Sequence, residues 1–564
     1  MMNDTIEVIF GLVGGLAVFI FGMNMMSECL QKAAGEKMKS ILSMLTKNPV
    51  LGVLAGALTT AVLQSSSATT VMAIGFVSAG LMTLPQAISI ILGANIGTTM
   101  TAQIIAFKIS DYIYVFIFIG FFISFICKSE KIKNIGQTIF AFGLLFLGIE
   151  TMGSVMKPLA SSPVFTDMIA KVAHIPVLGV CVGTLMTLVV QSSSATIAVL
   201  QNFASQAGPD GVTSIIGLAG AIPILLGDNI GTTITALLAS VGQSRDAKRT
   251  AAAHCIFNIS GALLFIWFVS PYASLIQRIS PKGNEVDVIS RQIANAHTGF
   301  NLAMTCLWIP LIGLMVKIVM KLVPDKKSRL QESPAAPKYL DDKLIGQPVA
   351  ALHLVAKEVV RCSDLVKDML NEVKSGSPKE DILTLKTIVE KAEIEHELNE
   401  SITEYLSTMY SEGVLTEEQA TQTTGIMYVL SDVDRMAELC KEITENIVNQ
   451  SQKKLNYSKE ALKDLRKSVS VILDMYEEAL TAIITGEDVD LSGIQSRKEE
   501  VLQLDENMRK SHAQRVGKKK CDAKLTIAYN NILHDIDRMG NSCVNLMETA
   551  INHVNFKVFL ADEI

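Results

Sequence analysis

At 564 residues the chain exceeds one ordinary domain, and with 18% charged residues and a mean hydropathy of +0.37 it is too apolar for a purely soluble protein. Its net charge of −6, without a compact basic face, points away from nucleic acid, and nine scattered cysteines with no CxxC pair argue against a zinc site or disulfide framework and fit a reducing compartment. The start carries Asp4 and Glu7 but no Lys or Arg before its apolar run, unlike a cleaved signal peptide.

From the N-terminus, apolar segments fall at 6–27, 50–82, 84–107, 112–127, 135–156, 175–204, 213–242, 250–269 and 297–321. No Asp, Glu, Lys or Arg occurs from Asn48 to Phe107, and only Asp210 and Asp228 are charged between Val172 and Ser244. One crossing needs about 20 apolar residues. Several segments are longer and are interrupted by hydroxyl-rich tracts. The stretch from Leu51 through Gln64-Ser65-Ser66-Ser67-Ala68-Thr69 recurs from Leu178 through Gln191-Ser192-Ser193-Ser194-Ala195-Thr196, 127 residues on. Gly93-Ala94-Asn95-Ile96-Gly97-Thr98-Thr99 recurs 134 residues on as Gly227-Asp228-Asn229-Ile230-Gly231-Thr232-Thr233, and Phe21-Gly22-Met23 pairs with Leu147-Gly148-Ile149. Internal repeats in an apolar chain mark transporter architecture.

Lys and Arg placement sets the expected orientation. With 50–82 and 175–204 as re-entrant hairpins and the other segments crossing once, one side collects Lys32, Lys37, Lys39 and Lys47, then Lys128, Lys131 and Lys133, then Arg245, Lys248 and Arg249, then Lys317–Arg329. That side is read as cytoplasmic. The protein is then a multi-pass protein of the cell membrane, with its N-terminus outside and its charged C-terminal part inside. Each repeat holds three crossings, so the two copies are inverted and their QSSS tips meet near the midplane.

The expected organisation is a transmembrane domain over 1–323, a linker over 324–343 and a helical domain over 344–564. The first divides into repeats at 6–127 and 135–269 and an extra helix at 297–321. Pro324, Ser333, Pro334 and Pro337 break helical periodicity in the linker. Beyond it the pattern is amphipathic helices, and Asp432-Val433-Asp434-Arg435-Met436 recurs 103 residues on as Asp535-Ile536-Asp537-Arg538-Met539, as in a pair of three-helix units. The fold class is all-α.

Hydroxyls and amides inside apolar segments must be paired or line a wet cavity. The candidate site is therefore Gln64, Ser65, Ser66, Ser67, Thr69, Asn95, Thr98 and Thr99 in the first repeat, with Gln191, Ser192, Ser193, Ser194, Thr196, Asp228, Asn229, Thr232 and Thr233 in the second. A helix broken at its middle exposes N–H groups where its dipole favours an anion. Half-helix carbonyls and Gln, Asn, Ser and Thr oxygens suit a small hard cation. No Lys or Arg lies in this core to neutralise an oxyanion, so co-bound cations are the natural source of positive charge. Gly97 and Gly231 are expected to let the chain leave helical geometry, and Asp228, opposite Ala94, is a cation ligand, a proton site or a structural acid. Two AHxxFN tracts, at Ala253–Asn258 and Ala296–Asn301, read as packing residues at the starts of two late helices. No catalytic constellation is visible, so no enzyme activity is expected. In the C-terminal part Asp434 and Glu438 lie i, i+4 on one helix. With Glu395 and Asp537 they are candidates for a divalent metal, against the alternative of a solvated face.

Paired QSSS tracts, each followed by GxNIGTT, resemble the sodium-dependent phosphate cotransporters related to the type II animal transporters. The tail resembles PhoU, keeping its acidic pattern at Asp434–Glu438 and losing it at Asp537–Asn541. The resemblance implies that Gln64–Ser67 and Gln191–Ser194 bind inorganic phosphate and sodium, that sodium is the coupling ion with no other cofactor required, and that the tail restrains phosphate uptake. The expected function is sodium-coupled phosphate transport by alternating access. The alternatives are a phosphate-sensing receptor or a carrier of another tetrahedral oxyanion. Expected partners are phosphate, sodium, the bilayer and a cytoplasmic phosphate-signalling protein.

Overall fold

A computed structural model describes residues 2–42, 48–107, 110–160, 175–208, 210–324, 334–375, 382–412, 415–455, 457–486, 491–552, 554 and 556. Of the loop cations and linker used above, Lys47, Arg329 and the stretch 325–333 fall outside these residues. The chain forms two compact units, 1–327 and 328–564, each taken by itself below.

The first unit is a membrane unit. Among the described residues six helical stretches are long and apolar enough to cross a bilayer: Val8–Lys32, Leu84–Ile105, Ile132–Met156, Gly217–Ala239, Arg245–Ile279 and Glu285–Leu322. In chain order its helices are α1 (Met2–Leu42), α2 (Pro49–Leu63), α3 (Ser66–Ser78), α4 (Leu84–Ile105), α5 (Ile113–Ile126), α6 (Glu130–Ala160), α7 (Pro176–Val190), α8 (Ser193–Ala204), α9 (Gly217–Gly231), α10 (Thr233–Ala239), α11 (Arg245–Phe265), α12 (Val269–Ile279), α13 (Glu285–Trp308) and α14 (Ile312–Leu322). The segments 50–82 and 175–204 each become two helices, broken at the QSSS tract.

Repeat-related residues pack in related ways. On the α1–α6 interface, a Cβ at Gly22 would come within 2.7 Å of Leu145 N, and one at Gly148 within 2.5 Å of Phe19 N. Gly22 and Phe19 precede Gly148 and Leu145 by the same 126 residues, so the contact is self-complementary, as at a twofold axis. The two later seams repeat one pattern. Gly56 and Gly93 let the backbones of α2 and α4 touch, and Gly183 and Gly227, their counterparts, do the same for α7 and α9; a Cβ at any of the four would collide with backbone. Small residues bring membrane helices together in this way.

The GxNIGTT tracts do not leave helical geometry as expected. α4 runs unbroken through Asn95 and Gly97, and Thr232, between α9 and α10, keeps helical angles (φ −59, ψ −25). These glycines serve closeness: a Cβ would lie 2.6 Å from Ala57 O at Gly97 and 2.7 Å from Thr184 O at Gly231.

The segment expected as an extra helix at 297–321 has a counterpart. The α11–α12 stretch is interrupted by a 3-10 turn at Ile266–Phe268, and α13–α14 by one at Ile309–Leu311, 43 residues later. The AHxxFN tracts share that spacing. α11 packs on α3 and on α9–α10, and α13 packs on α8 and α4, the repeat-related elements. His254 and His297 lie mid-helix and buried, not at helix starts, because both helices begin with polar residues outside the apolar segments.

Among the described residues of the second unit, the α-helices fall in two threes: α15 (Pro348–Ser375), α16 (Ile382–Ser411) and α17 (Glu417–Gln452), then α18 (Lys459–Thr485), α19 (Leu491–Gly517) and α20 (Leu525–Asn552). One core cluster joins them, with Cys440 of α17 and Cys543 of α20, 103 residues apart, fully buried.

Candidate substrate-binding site

Both QSSS tracts break the chain in the same way. Gln64 (φ 51, ψ 23) and Gln191 (φ 54, ψ 22) are left-handed, and Ser65 and Ser192 after them are extended. A left-handed residue that is not glycine is strained and persists where its surroundings hold it. Ser65 and Ser192 each accept the backbone N–H three residues on, Ala68 or Ala195, at 3.2 Å and so cap α3 and α8. The first N–H groups of both helices remain available to an anion at the positive end of the dipole. Thr60 donates to Thr69 at 2.8 Å, and Thr196 donates to Thr187 at 3.0 Å, tying each broken pair together.

The surroundings of the tips differ. Thr101 donates to Gln64 Oε1 at 3.0 Å, while its counterpart Thr235 gives its proton to Thr232 O at 2.9 Å and meets Ser67 Oγ of the other repeat at 3.1 Å as the acceptor. Thr69, Ser66 and Gln64 are buried, as are Thr196, Ser193 and Ser194, but Gln191 is exposed. The first tip is thus gripped from both repeats, and the second tip is the more open.

The remaining candidates lie on α4, α9 and α10. Asn95 donates to Ile91 O at 2.8 Å and Asn229 to Leu225 O at 2.9 Å, leaving the amide oxygens to other partners. Thr98, Thr99, Thr232 and Thr233 donate back to carbonyls of the preceding turn, so they offer only lone pairs to a ligand. Asp228 is fully buried; its Oδ1 accepts from Thr187 at 2.6 Å and its Oδ2 has no partner. His297 lies 3.4 Å from Asn229 Oδ1. That neighbour was hidden in the sequence, because the AHxxFN tracts show no link to GxNIGTT until helices pack. The unpartnered buried side-chain atoms here include Asp228 Oδ2, Asn258 Oδ1 and Asn301 Oδ1, all acceptors. An acceptor surplus in an apolar unit calls for cations or water.

The C-terminal candidates do not come together as a set. Glu395 is fully buried with both carboxyl oxygens unpartnered; burial, then the charge of Asp434, pushes its pKa up to about 9. Asp434 pairs with His396 at 2.9 Å, and Glu438 with Lys441 at 3.3 Å. Asp537 is on the second bundle and is taken by Lys498, which stands at the repeat position of Glu395. An acid pair in the first bundle is an ion pair in the second, which explains more than the loss at Asn541. Among the described residues no three His, Cys, Asp or Glu side chains are grouped to hold a metal ion. The set does not fit one as it stands.

Residues 18–154 and 152–309 each match the Na+/Pi-cotransporter family. The chain belongs to that family. Members of the Na+/Pi-cotransporter family are transporters, and this chain is a membrane protein, not an enzyme. Residues 359–447 match the PhoU domain, within the first C-terminal bundle. The "Uncharacterized protein YqeW" of Bacillus subtilis (strain 168) is 32% identical over 308 residues, 55% of this chain and 96% of that protein. The "Putative inorganic phosphate export protein YjbB" of Escherichia coli (strain K12) is 23% identical over 536 residues, 94% of this chain and 95% of that one. Human sodium-dependent phosphate transport protein 2B is 31% identical over 221 residues, 36% of this chain and 30% of its own length. No solved structure matches the chain.

Proposed function

We propose that the membrane unit carries inorganic phosphate together with sodium ions, by alternating access, through the QSSS tips. The observation that carries this reading is the matched break at Gln64 and Gln191. It presents two capped helix N-termini to an anion on helices that carry no lysine or arginine from Asn48 to Phe107 or from Val172 to Ser244. Seryl and backbone N–H groups hold the phosphate. Sodium, held by acceptors such as Asp228 and Asn229, supplies the positive charge. The self-complementary contact at Gly22 and Gly148 supports reading the repeats as inverted, with 50–82 and 175–204 re-entrant, and the Lys and Arg placement supports a cytoplasmic C-terminal unit. Labelled phosphate flux into proteoliposomes, with and without a sodium gradient, tests it. Phosphate binding without sodium-dependent flux would favour a phosphate sensor instead.

A second reading concerns direction. The relative matched along nearly the whole of both chains, C-terminal unit included, is named for phosphate export. Outward flux driven by the prevailing gradients fits the same site, and flux assays with reversed gradients separate the two. The C-terminal unit adjusts transport rate in this reading. Removing 334–564 should change maximal flux while leaving apparent phosphate affinity near its original value.

A further inference from the structure

At one end of the second C-terminal bundle, buried donors outnumber the acceptors beside them. Arg515, in the last turn of α19, is only 9% exposed. Its Nη1 is in use, donating to Ser511 Oγ at 2.6 Å, with Asp464 Oδ2 at 3.8 Å, beyond hydrogen-bond reach. Its Nε and Nη2 and the Tyr457 hydroxyl are buried without partners, and the buried Tyr529 hydroxyl, within reach of the Arg515 guanidinium, has no acceptor for its own proton. The two phenol rings lie 5.9 Å apart, His512 stacks on Tyr529 at 4.6 Å, and Arg515 sits beside the Tyr529 hydroxyl.

Nε–H and Nη2–H form one edge of the guanidinium, two parallel donors spaced to meet two oxygens of a single acceptor group. Leaving that edge and two phenol protons dry and unpaired is unfavourable, so the pattern asks for a ligand made of acceptors. The arginine charge rules against a cation. Tyr457 directly precedes Ser458, the cap of α18, and Tyr529 lies in the first two turns of α20, so both stand near helix N-termini that favour an anion.

We propose that the C-terminal unit holds a tetrahedral oxyanion of the phosphate class on the Nε–Nη2 edge of Arg515, with the hydroxyls of Tyr457 and Tyr529 as further donors. The site lies outside the membrane unit and does not rest on the transport reading. Free phosphate and the phosphoryl end of a larger molecule share this chemistry.

Hydrogen exchange by mass spectrometry on the full-length protein tests it, with inorganic phosphate, adenosine 5′-monophosphate or chloride added. Phosphate at ten times its dissociation constant should slow exchange about tenfold in peptides covering 511–529, and Arg515→Gln should abolish the effect. Slowing by the nucleotide alone assigns the site to the phosphoryl end of a larger ligand. Tyr457→Phe and Tyr529→Phe guard against misfolding. Each removes one hydroxyl whose proton is unpaired, so the ligand-free protein should melt no lower, while the rise in melting temperature caused by phosphate should shrink. No protection by either phosphate compound, protection that survives in Arg515→Gln, or an undiminished phosphate-induced rise in both Phe variants overturns the proposal.

Discussion

Thr235 accepts the Ser67 hydroxyl at 3.1 Å across the boundary between the two repeats, its own proton going to Thr232 O at 2.9 Å. The equivalent threonine of the first repeat, Thr101, reaches the same tract at Gln64. The two halves therefore use one matched residue differently: both threonines hold the first tip, and Gln191 in the second tip stays exposed.

If this contact stabilises one of two alternating arrangements, Thr235→Val removes about 1 kcal/mol from that side and shifts the balance roughly fivefold. The change should show in the phosphate dependence of flux. An unaltered curve would mean that the Thr235–Ser67 bond plays no part in the cycle.

Ser66→Ala and Ser193→Ala should each lower sodium-dependent flux well below that of Ser205→Ala, whose hydroxyl only donates back to Gln201 O. Ser78 is no neutral comparison, since it donates to Gln243 at 2.6 Å and accepts from Ser244 N. Equal flux in the Ser66, Ser193 and Ser205 variants would remove the QSSS tips from the transport path.

Asp228→Asn preserves shape and an acceptor for Thr187 but replaces the buried carboxyl group with a neutral amide. The sodium concentration for half-maximal flux should rise about tenfold, the equivalent of about 1.4 kcal/mol. A superimposable sodium curve would assign Asp228 to structure alone.

Glu395 gives the C-terminal unit a pH dependence. The folded carboxyl titrates near 9 and the ordinary value is 4.5, so between those limits the folded form keeps a proton that the unfolded chain has lost. Stability is full below pH 4.5 and falls as pH rises toward 9. Glu395→Gln should therefore flatten the profile and add about 3 kcal/mol at pH 7. Urea unfolding of the unit expressed alone from Tyr339, at pH 5 and pH 8, measures this; equal sensitivity to pH in both forms would contradict it.

The helix breaks at Gln64 and Gln191 were legible in the sequence because a polar tract inside an apolar segment has few places to go, and its duplication located both. The GxNIGTT tracts misled, since a glycine that frees the backbone and one that admits a neighbouring backbone look alike in one dimension. Gly97 is the second kind. The AHxxFN tracts were visible, but their 43-residue spacing gains meaning only with the matching 3-10 turns at Ile266–Phe268 and Ile309–Leu311. The change from an acid pair at Glu395 to an ion pair at Lys498 needed the folded bundles, because Glu395 and Asp434 are joined only across helices.

The glycine seams bear on how a mutational scan of this protein would read. Gly56, Gly93, Gly183 and Gly227 carry no side chain to bind a ligand, yet a methyl group at any of them would strike backbone, which cannot step aside as a side chain can. Alanine at these four positions should depress transport as severely as loss of a tip serine, and should also depress the amount of folded protein. Surface abundance measured beside flux separates the two kinds of damage. Without it, the seams would pass for a second binding site.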